Sequence, residues 1–198
     1  MPLPDQIFLT DRNPRLVGAW EKAFRGVHSV TAVEGDYLAE PADAVVSPAN
    51  SFGYMDGGLD LLLARTFQGI QHRVQTMIQR EYHGEMPVGC AEVVATGHER
   101  WPYLICAPTM RVPENIGQTV HPYLAFRATL LAVAKFNRQP DGPKIRTLIA
   151  PGLGTGVGRV SEKRCAQHMR QAFDSLLHPP QIPNFKAIQA GHVRLISS

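Results

Sequence analysis

The fold is decided by the stretch DAVVSPANSFGYMDGGLD, residues 43–60. Its β-branched run Val45-Val46 predicts a short buried strand, which Pro48 ends. A loop with three glycines follows, and from Leu59 onward apolar residues recur at helical spacing. The stretch therefore predicts a strand, a glycine-rich loop and the start of a helix. Backbone N–H groups at a helix start favour an anion, and glycines let a ligand approach the backbone closely.

A second glycine loop, PGLGTGVG at residues 151–158, follows the apolar run Thr147-Leu148-Ile149-Ala150. Both loops come after predicted strands, and open α/β sheets bind ligands at the C-terminal ends of their strands. Two such loops side by side predict a site that wraps a pyrophosphate with main-chain N–H groups. The alternative is that the glycines only make tight turns and close packing.

Other nucleotide and metal motifs fit this sequence less well. The P-loop ending Gly-Lys-Ser/Thr does not occur, and the glycines at positions 152, 154, 156 and 158 miss the G-x-G-x-x-G spacing. The chain has no HExxH, Cys-x-x-Cys or G-x-S-x-G motif, so we expect no metal site and no cofactor. Aromatic residues do not interleave with a basic patch, which leaves a nucleic-acid-associated module as a weaker alternative.

Strand and helix patterns alternate along the chain and predict a three-layer α/β/α sandwich. The residues from 92 to 107 predict a hairpin, which makes the central sheet mixed. Gly69 is a candidate break between two helices, and residues 185–190 fit either a helix or a strand. The predicted strands cover residues 6–10, 27–33, 43–47, 92–96, 103–107 and 147–150, and the predicted helices cover residues 13–24, 59–82 and 122–136 and a segment capped by Ser161.

Size and composition fit one α/β domain. The chain has 198 residues, of which 44% are hydrophobic and 19% charged. No signal-peptide pattern and no window of 18 apolar residues occurs, so we expect no membrane partner. Three well-separated cysteines favour a reducing compartment, and we expect a cytoplasmic location. The net charge of +3 suits a polyanionic ligand, although many ordinary proteins share it.

The turn Ser47-Pro48-Ala49-Asn50 and the loop end Asp56-Gly57-Gly58-Leu59-Asp60 resemble the macro domain family. In that family a strand ends in an Asn-Ala-Ala-Asn-like turn, followed by a glycine-rich loop and a helix. The family also has a Gly-Asp pair before that strand, and Gly35-Asp36 stands here. The resemblance is clearest over residues 30–176. It implies one macro-like domain over residues 1–198, with residues 179–198 as a C-terminal extension.

The resemblance implies that the ligand is ADP-ribose or an ADP-ribose derivative. It assigns Asp36 to the adenine amino group, although a turn aspartate is the structural alternative. It assigns Asn50 to the distal ribose, where the amide suits a diol, although Asn50 also fits a bond to its own loop. The remaining ligand-binding residues that it implies are Gly57, Gly58, Leu59, Thr155, Gly156, Val157 and Gly158.

The resemblance also implies a hydrolase that removes ADP-ribose from a protein, a nucleic acid or a small molecule. The candidate catalytic residues are Asp60, Asn50 and Asp56, although acids near a helix start also serve as caps. One hydrolase branch has an aspartate in the second loop where this chain has Gly158. A non-catalytic ADP-ribose reader or nucleotide-signal sensor therefore stays open. Arg111 and Glu114 are expected to be solvated loop charges.

Overall fold

The computed structural model describes residues 2–197, which form six strands and six helices. Their order along the chain follows the predicted alternation of strands and helices. The elements are β1 (Gln6–Asp11), α1 (Pro14–Ala23), β2 (Val30–Glu34), β3 (Ala44–Ser47), α2 (Gly58–Thr66), α3 (Ile70–Tyr82), β4 (Glu92–Ala95), β5 (Tyr103–Cys106), α4 (His121–Phe136), β6 (Thr147–Ala150), α5 (Glu162–Asp174) and α6 (Phe185–Ile196).

The strands form one mixed sheet in the order β2-β1-β6-β3-β5-β4. Every neighbouring pair is parallel except β4 and β5, which form the predicted antiparallel hairpin. Side chains alternate between the two faces of the sheet, so that Val46 lies in one core and Val45 in the other. Short apolar strands suit this arrangement, because helices cover both faces.

Two helix layers bury the two faces of the sheet. Helices α1, α4 and α5 cover one face with side chains such as Trp20, Phe126 and Met169. Helices α2 and α3 cover the other face with side chains such as Leu63 and Val74. The prediction of a three-layer α/β/α sandwich with a mixed sheet is confirmed.

A crevice forms where β3 and β6 separate. The two strands pair only at Ala44 with Leu148 and at Val45 with Ile149. Just beyond these pairs, the buried hydroxyl of Tyr37 accepts a hydrogen bond from the Val46 N–H at 2.9 Å. The same hydroxyl lies 2.7 Å from the Val46 carbonyl oxygen and 2.9 Å from that of Ile149. Tyr37 thus fixes the segment after β2 against the point from which both glycine loops depart.

Helix ends follow the local sequence signals. Asn13 caps α1 by accepting a hydrogen bond from the Arg15 N–H, with Pro14 as the first helical residue. Ser161 caps α5 in the same way through the Arg164 N–H. Gly69 has a φ of 72° and separates α2 from α3, as the sequence suggested.

One further segment differs from its prediction, and another decides between two alternatives that the sequence left open. The second strand was predicted to begin at residue 27 and begins instead at Val30. The chain first makes a turn, in which the Val30 N–H donates to the Val27 carbonyl. Residues 185–190 belong to helix α6, which Asn184 caps through the Ala187 N–H.

No helix within residues 2–197 is long and apolar enough to cross a membrane. The assignment of the whole chain to one domain stays a prediction, and its first and last residues lie outside the described range.

Candidate functional site

A cleft of about 760 Å³ opens at the C-terminal ends of β1, β3 and β6. This volume falls within the range of sites that bind small molecules. The cleft brings together every residue that the sequence singled out for ligand binding or catalysis. These lining residues are Asp36, Asn50, Asp56, Gly57, Gly58, Leu59, Asp60, Thr155, Gly156, Val157 and Gly158.

The first glycine loop is held in shape by Asn50. The Asn50 Oδ1 accepts hydrogen bonds from the N–H groups of Phe52 at 3.1 Å and Tyr54 at 3.3 Å. Its Nδ2 donates to the Tyr54 carbonyl at 2.8 Å. Both polar atoms of the amide therefore support the loop backbone, and one Nδ2 hydrogen has no partner within residues 2–197 and is left for a ligand. Gly53 is required here, because its φ is 68° and a Cβ would lie 2.8 Å from Val74.

The loop leads into α2 with its helix start open to the cleft. Gly57 is the N-cap and provides no side-chain hydrogen bond to the helix. The first intrahelical bond is donated by the Leu61 N–H to the Gly57 carbonyl. The N–H groups of Gly58, Leu59 and Asp60 consequently have no partner inside the helix. These three residues border the cleft, where a helix start attracts an anion.

The second glycine loop combines packed glycines with an open one. A Cβ on Gly158 would lie 2.6 Å from the Gly154 carbonyl oxygen, and Gly154 itself has a φ of 75°. Close packing and turn geometry therefore account for these two glycines. They do not account for Gly156, where a Cβ would meet nothing within 4 Å. Within residues 2–197 the N–H groups of residues 155–158 donate no hydrogen bond, so they are available to a ligand.

Asp60 lies on the floor of the cleft, half-buried in the first turn of α2. The Ser47 hydroxyl, at the end of β3, donates to its Oδ1 at 2.6 Å. Burial raises the pKa of Asp60 to about 6, although the hydrogen bond from Ser47 acts to lower that pKa. The negative charge of the exposed Asp56 raises the pKa further. A carboxyl group with this pKa can take and release a proton near neutral pH.

Asp36 lies on the rim of the cleft and forms an ion pair with Arg12, which the sequence did not predict. The Arg12 Nε lies 2.5 Å from the Asp36 Oδ1, with the two side chains 78% and 65% exposed. Arg12 follows β1 and Asp36 follows β2, and these strands are parallel neighbours with Asp11 opposite Glu34. The signal for Arg12 is its position directly after β1. That strand lies beside β2, which leads to the predicted site residue Asp36. Tyr37 was missed as well, because its role depends on two distant strands.

Arg111 lies outside the residues that line the cleft. It donates two hydrogen bonds to the Glu85 carboxylate, from Nε at 2.7 Å and from Nη2 at 3.0 Å. Its guanidinium also lies over the ring of Phe52, 5.2 Å from the centroid. Arg111 and Glu114 are exposed, as expected for loop charges.

Comparisons of sequence point to one family. The family model of the macro domain matches residues 46–169, which is more than half of the chain. An uncharacterized protein of Aeropyrum pernix is 31% identical over 144 residues, covering 72% of this chain and 69% of that protein. An uncharacterized protein of Aquifex aeolicus is 29% identical over 140 residues, covering 71% of this chain and 78% of that protein.

Solved structures share the fold at lower identity. The macrodomain of Mycobacterium tuberculosis DarG superposes with a TM-score of 0.61 at 22% identity, covering 75% of this chain and 96% of that chain. A mutant Oceanobacillus iheyensis macrodomain with ADPR gives a TM-score of 0.60 at 15% identity, covering 100% of this chain and 98% of that chain. The family model, the relatives and the fold agree with the resemblance in the two loops, and this chain belongs to the macro domain family.

Proposed function

We propose that this protein binds ADP-ribose, or a derivative of it, in the cleft between the two glycine loops. The observation that carries the proposal is two sets of backbone N–H groups, without hydrogen-bond partners within residues 2–197, on two sides of one cleft. One set begins α2 at residues 58–60, and the other spans residues 155–158. Backbone N–H groups at a helix start and in glycine loops bind phosphates without a lysine. The macro domain is a family that binds ADP-ribose, which supports the same ligand.

In this proposal the first loop holds the distal ribose and one phosphate, and the second closes over the diphosphate. Gly57 and Gly156 face open space, which leaves room for phosphate oxygens against the backbone. One Nδ2 hydrogen of Asn50 is bonded to the Tyr54 carbonyl, and in this proposal the other donates to a ribose hydroxyl. Asp36 on the rim accepts a hydrogen bond from the adenine amino group.

We further propose that the protein hydrolyses an ADP-ribosyl linkage, with Asp60 as the group that exchanges the proton. Water adds to the anomeric carbon of the distal ribose while the bond from that carbon to the acceptor breaks. The ionised Asp60 accepts a proton from the water and later releases it to solvent, while the departing acceptor takes up a proton from solvent. What favours this over binding alone is a carboxyl group with a pKa of about 6 in the same cleft. Asn50 orients the ribose, and Asp56 is the alternative base.

Binding without catalysis is the second candidate function, and Gly158 favours it. In one hydrolase branch of the family an aspartate occupies this place in the second loop. Here a side chain is excluded by the Gly154 carbonyl oxygen. In the hydrolytic case the substrate is an ADP-ribosylated protein, nucleic acid or small molecule, and in the other case the protein reads such marks. A cytoplasmic location is part of the proposal and agrees with three free cysteines.

Calorimetry with ADP-ribose and AMP tests the proposed ligand. ADP-ribose should bind much more tightly than AMP, which lacks the second phosphate and the second ribose. Equal affinities for the two would contradict a diphosphate site between two loops.

A glycine pair gives a matched variant test of the second loop. Gly156→Glu places a carboxylate against the expected diphosphate, while its Cβ meets nothing within 4 Å. We expect binding to be abolished and the melting temperature to change little. Gly18→Glu makes the same change of charge at an equally open, exposed position of α1 away from the cleft. Loss of binding in both variants would place the cause outside the second loop.

A further inference from the structure

We infer that Arg12 determines the base specificity of the cleft by completing a donor–acceptor pair with Asp36. The inference rests on the ADP-ribose binding proposed above and extends it to a residue that has no role there. The two side chains, taken together, would recognise one edge of adenine. Asp36 accepts from the amino group, and Arg12 adds the contact with the neighbouring ring nitrogen.

The backbone brings Arg12 and Asp36 together at one edge of the sheet. Strands β1 and β2 are paired through Asp11 and Glu34, their last residues. The Gly35 N–H then continues the pairing by donating to the Asp11 carbonyl at 3.1 Å. The two segments of the chain leave the sheet side by side at this point. Arg12 and Asp36 therefore meet although 24 positions separate them in the sequence. Their pairing is therefore built into the sheet.

Most of the hydrogen-bonding capacity of this pair is unused within residues 2–197. The contact within the pair joins the Arg12 Nε to the Asp36 Oδ1 at 2.5 Å. Within residues 2–197 no hydrogen bond involves the Asp36 Oδ2 or the Nη groups of Arg12. A guanidinium has only donors and a carboxylate only acceptors. The pair thus offers one acceptor and a neighbouring set of donors, and both residues line the cleft.

An acceptor beside a donor matches the edge of adenine. The adenine amino group is a donor, and a ring nitrogen that accepts lies next to it on either edge. Only the N1 edge lets Arg12 separate adenine from hypoxanthine, because N1 accepts in adenine but carries a hydrogen in hypoxanthine, whereas N7 accepts in both. Asparagine and glutamine read adenine in this way, with an amide oxygen and an amide nitrogen. Here the Asp36 Oδ2 takes the place of the amide oxygen, and an Nη of Arg12 takes the place of the amide nitrogen. A base that carries a keto oxygen at this position presents an acceptor to the carboxylate and is disfavoured.

Stability gives little reason for this pair. Ion pairs between exposed side chains contribute little to folding, and both partners are more than half exposed. The experiment separates this role of Arg12 from two others. As a phosphate ligand, Arg12 would favour every dinucleotide equally. As a competitor for Asp36, it would weaken the binding of adenine.

The test compares ADP-ribose with inosine diphosphate ribose, which differs by a keto oxygen in place of the amino group. Calorimetry should show that the wild type prefers ADP-ribose, and that Arg12→Ala reduces this preference by about 5-fold or more. Arg12→Lys keeps the charge but loses the planar fork, so it should restore the preference only in part. Arg15→Ala removes a nearby exposed charge that does not line the cleft, and should leave the preference unchanged.

Each other outcome overturns the inference. Equal losses of affinity for both ligands in Arg12→Ala would assign Arg12 to the phosphates. A gain in ADP-ribose affinity would make Arg12 a competitor, and no change would make it an ordinary surface charge. A wild type that binds neither ligand would instead contradict the proposed function itself, so the two failures are distinguishable.

Discussion

Two aspartates border the same cleft in opposite surroundings. Asp36 on the rim is 65% exposed and faces the guanidinium of Arg12. Asp60 on the floor is half-buried, and its partner is the neutral hydroxyl of Ser47 at 2.6 Å. On the rim the positive charge of Arg12 pairs with the Asp36 carboxylate. On the floor burial makes the charged form of Asp60 less favourable and raises the pKa of Asp60 to about 6.

This difference shows how one side-chain type can divide two tasks within a site. A carboxylate that is held by a guanidinium suits recognition, because it presents a fixed acceptor. A carboxyl group whose pKa lies near the working pH suits proton transfer. The comparison therefore predicts that changes at Asp36 alter which ligand binds, and that changes at Asp60 alter what happens to it.

The largest effect is expected on the rate when Asp60 is changed. Asp60→Asn keeps the shape and the acceptor for Ser47 but removes the proton acceptor, so single-turnover release of ADP-ribose should slow ~10²–10⁴-fold. ADP-ribose affinity should fall little, or rise, because a negative charge near the diphosphate is lost. Release is measured from ADP-ribosylated protein and nucleic acid, with Asp60→Ala beside Asp60→Asn.

Two results would change this assignment. If the wild type releases nothing from any substrate, the binding function is favoured. If both Asp60 variants release ADP-ribose as fast as the wild type, Asp60 is not the base and Asp56 is tested next.

The same substitution should stabilise the fold in a pH-dependent way. The pKa of Asp60 rises from 3.8 in the unfolded chain to about 6 in the folded protein, so the folded state binds more protons between these values. The wild type is thus destabilised progressively as pH rises from 4 to 6. Asp60→Asn should therefore increase the free energy of unfolding by roughly 2–3 kcal/mol more at pH 8 than at pH 4.

Denaturant unfolding at the two pH values measures this difference. Glu34→Gln is the control, because Glu34 is an exposed acid outside the cleft, and its removal should change the free energy of unfolding little at either pH. If Asp60→Asn stabilises the protein equally at pH 4 and pH 8, burial of the Asp60 charge does not destabilise the fold.

A smaller effect is expected on the rim. Asp36→Ala should reduce ADP-ribose affinity by about 1.5 kcal/mol, at the lower end for a hydrogen bond to a charged group, because the side chain is exposed. The rate of release at saturating substrate should not change. Glu34→Ala, which removes an exposed acid two residues earlier on β2, should leave calorimetric affinity as it is. Unchanged binding by a folded Asp36→Ala would remove Asp36 from the site.

Local sequence signals were enough for the strand, loop and helix order and for both glycine loops. Asn13, Ser161 and Gly69 each act through their own turn, so their roles depend on neighbouring residues alone. The predicted beginning of β2 was wrong, because Val27 fits a strand by residue type while the chain turns there.

The parts that the sequence did not predict depend on distant residues. Arg12 and Asp36 meet through the pairing of β1 and β2, and Tyr37 acts at the separation of β3 and β6. The sequence identified Asp60 as a candidate acid but contained no sign that Ser47 would be its partner. The sequence also did not distinguish the packed Gly154 and Gly158 from the open Gly156. That distinction depends on which atoms surround each glycine in the folded protein.

The smallest expected effect concerns Ser47, whose hydroxyl stabilises the ionised form of Asp60. Ser47→Ala removes this donor and should raise the pKa of Asp60 further, since the hydrogen bond acts to lower it. The pKa changes by the difference between a hydrogen bond to the ionised carboxylate and one to the neutral acid, roughly 1 kcal/mol, so release of ADP-ribose near pH 6 should slow by about 2- to 5-fold. Near pH 8.5, where Asp60 is ionised in both proteins, the rates should converge. Ser47→Thr keeps the hydroxyl and should restore the wild-type pH profile. A uniform loss of rate at every pH would show instead that Ser47 only packs the end of β3.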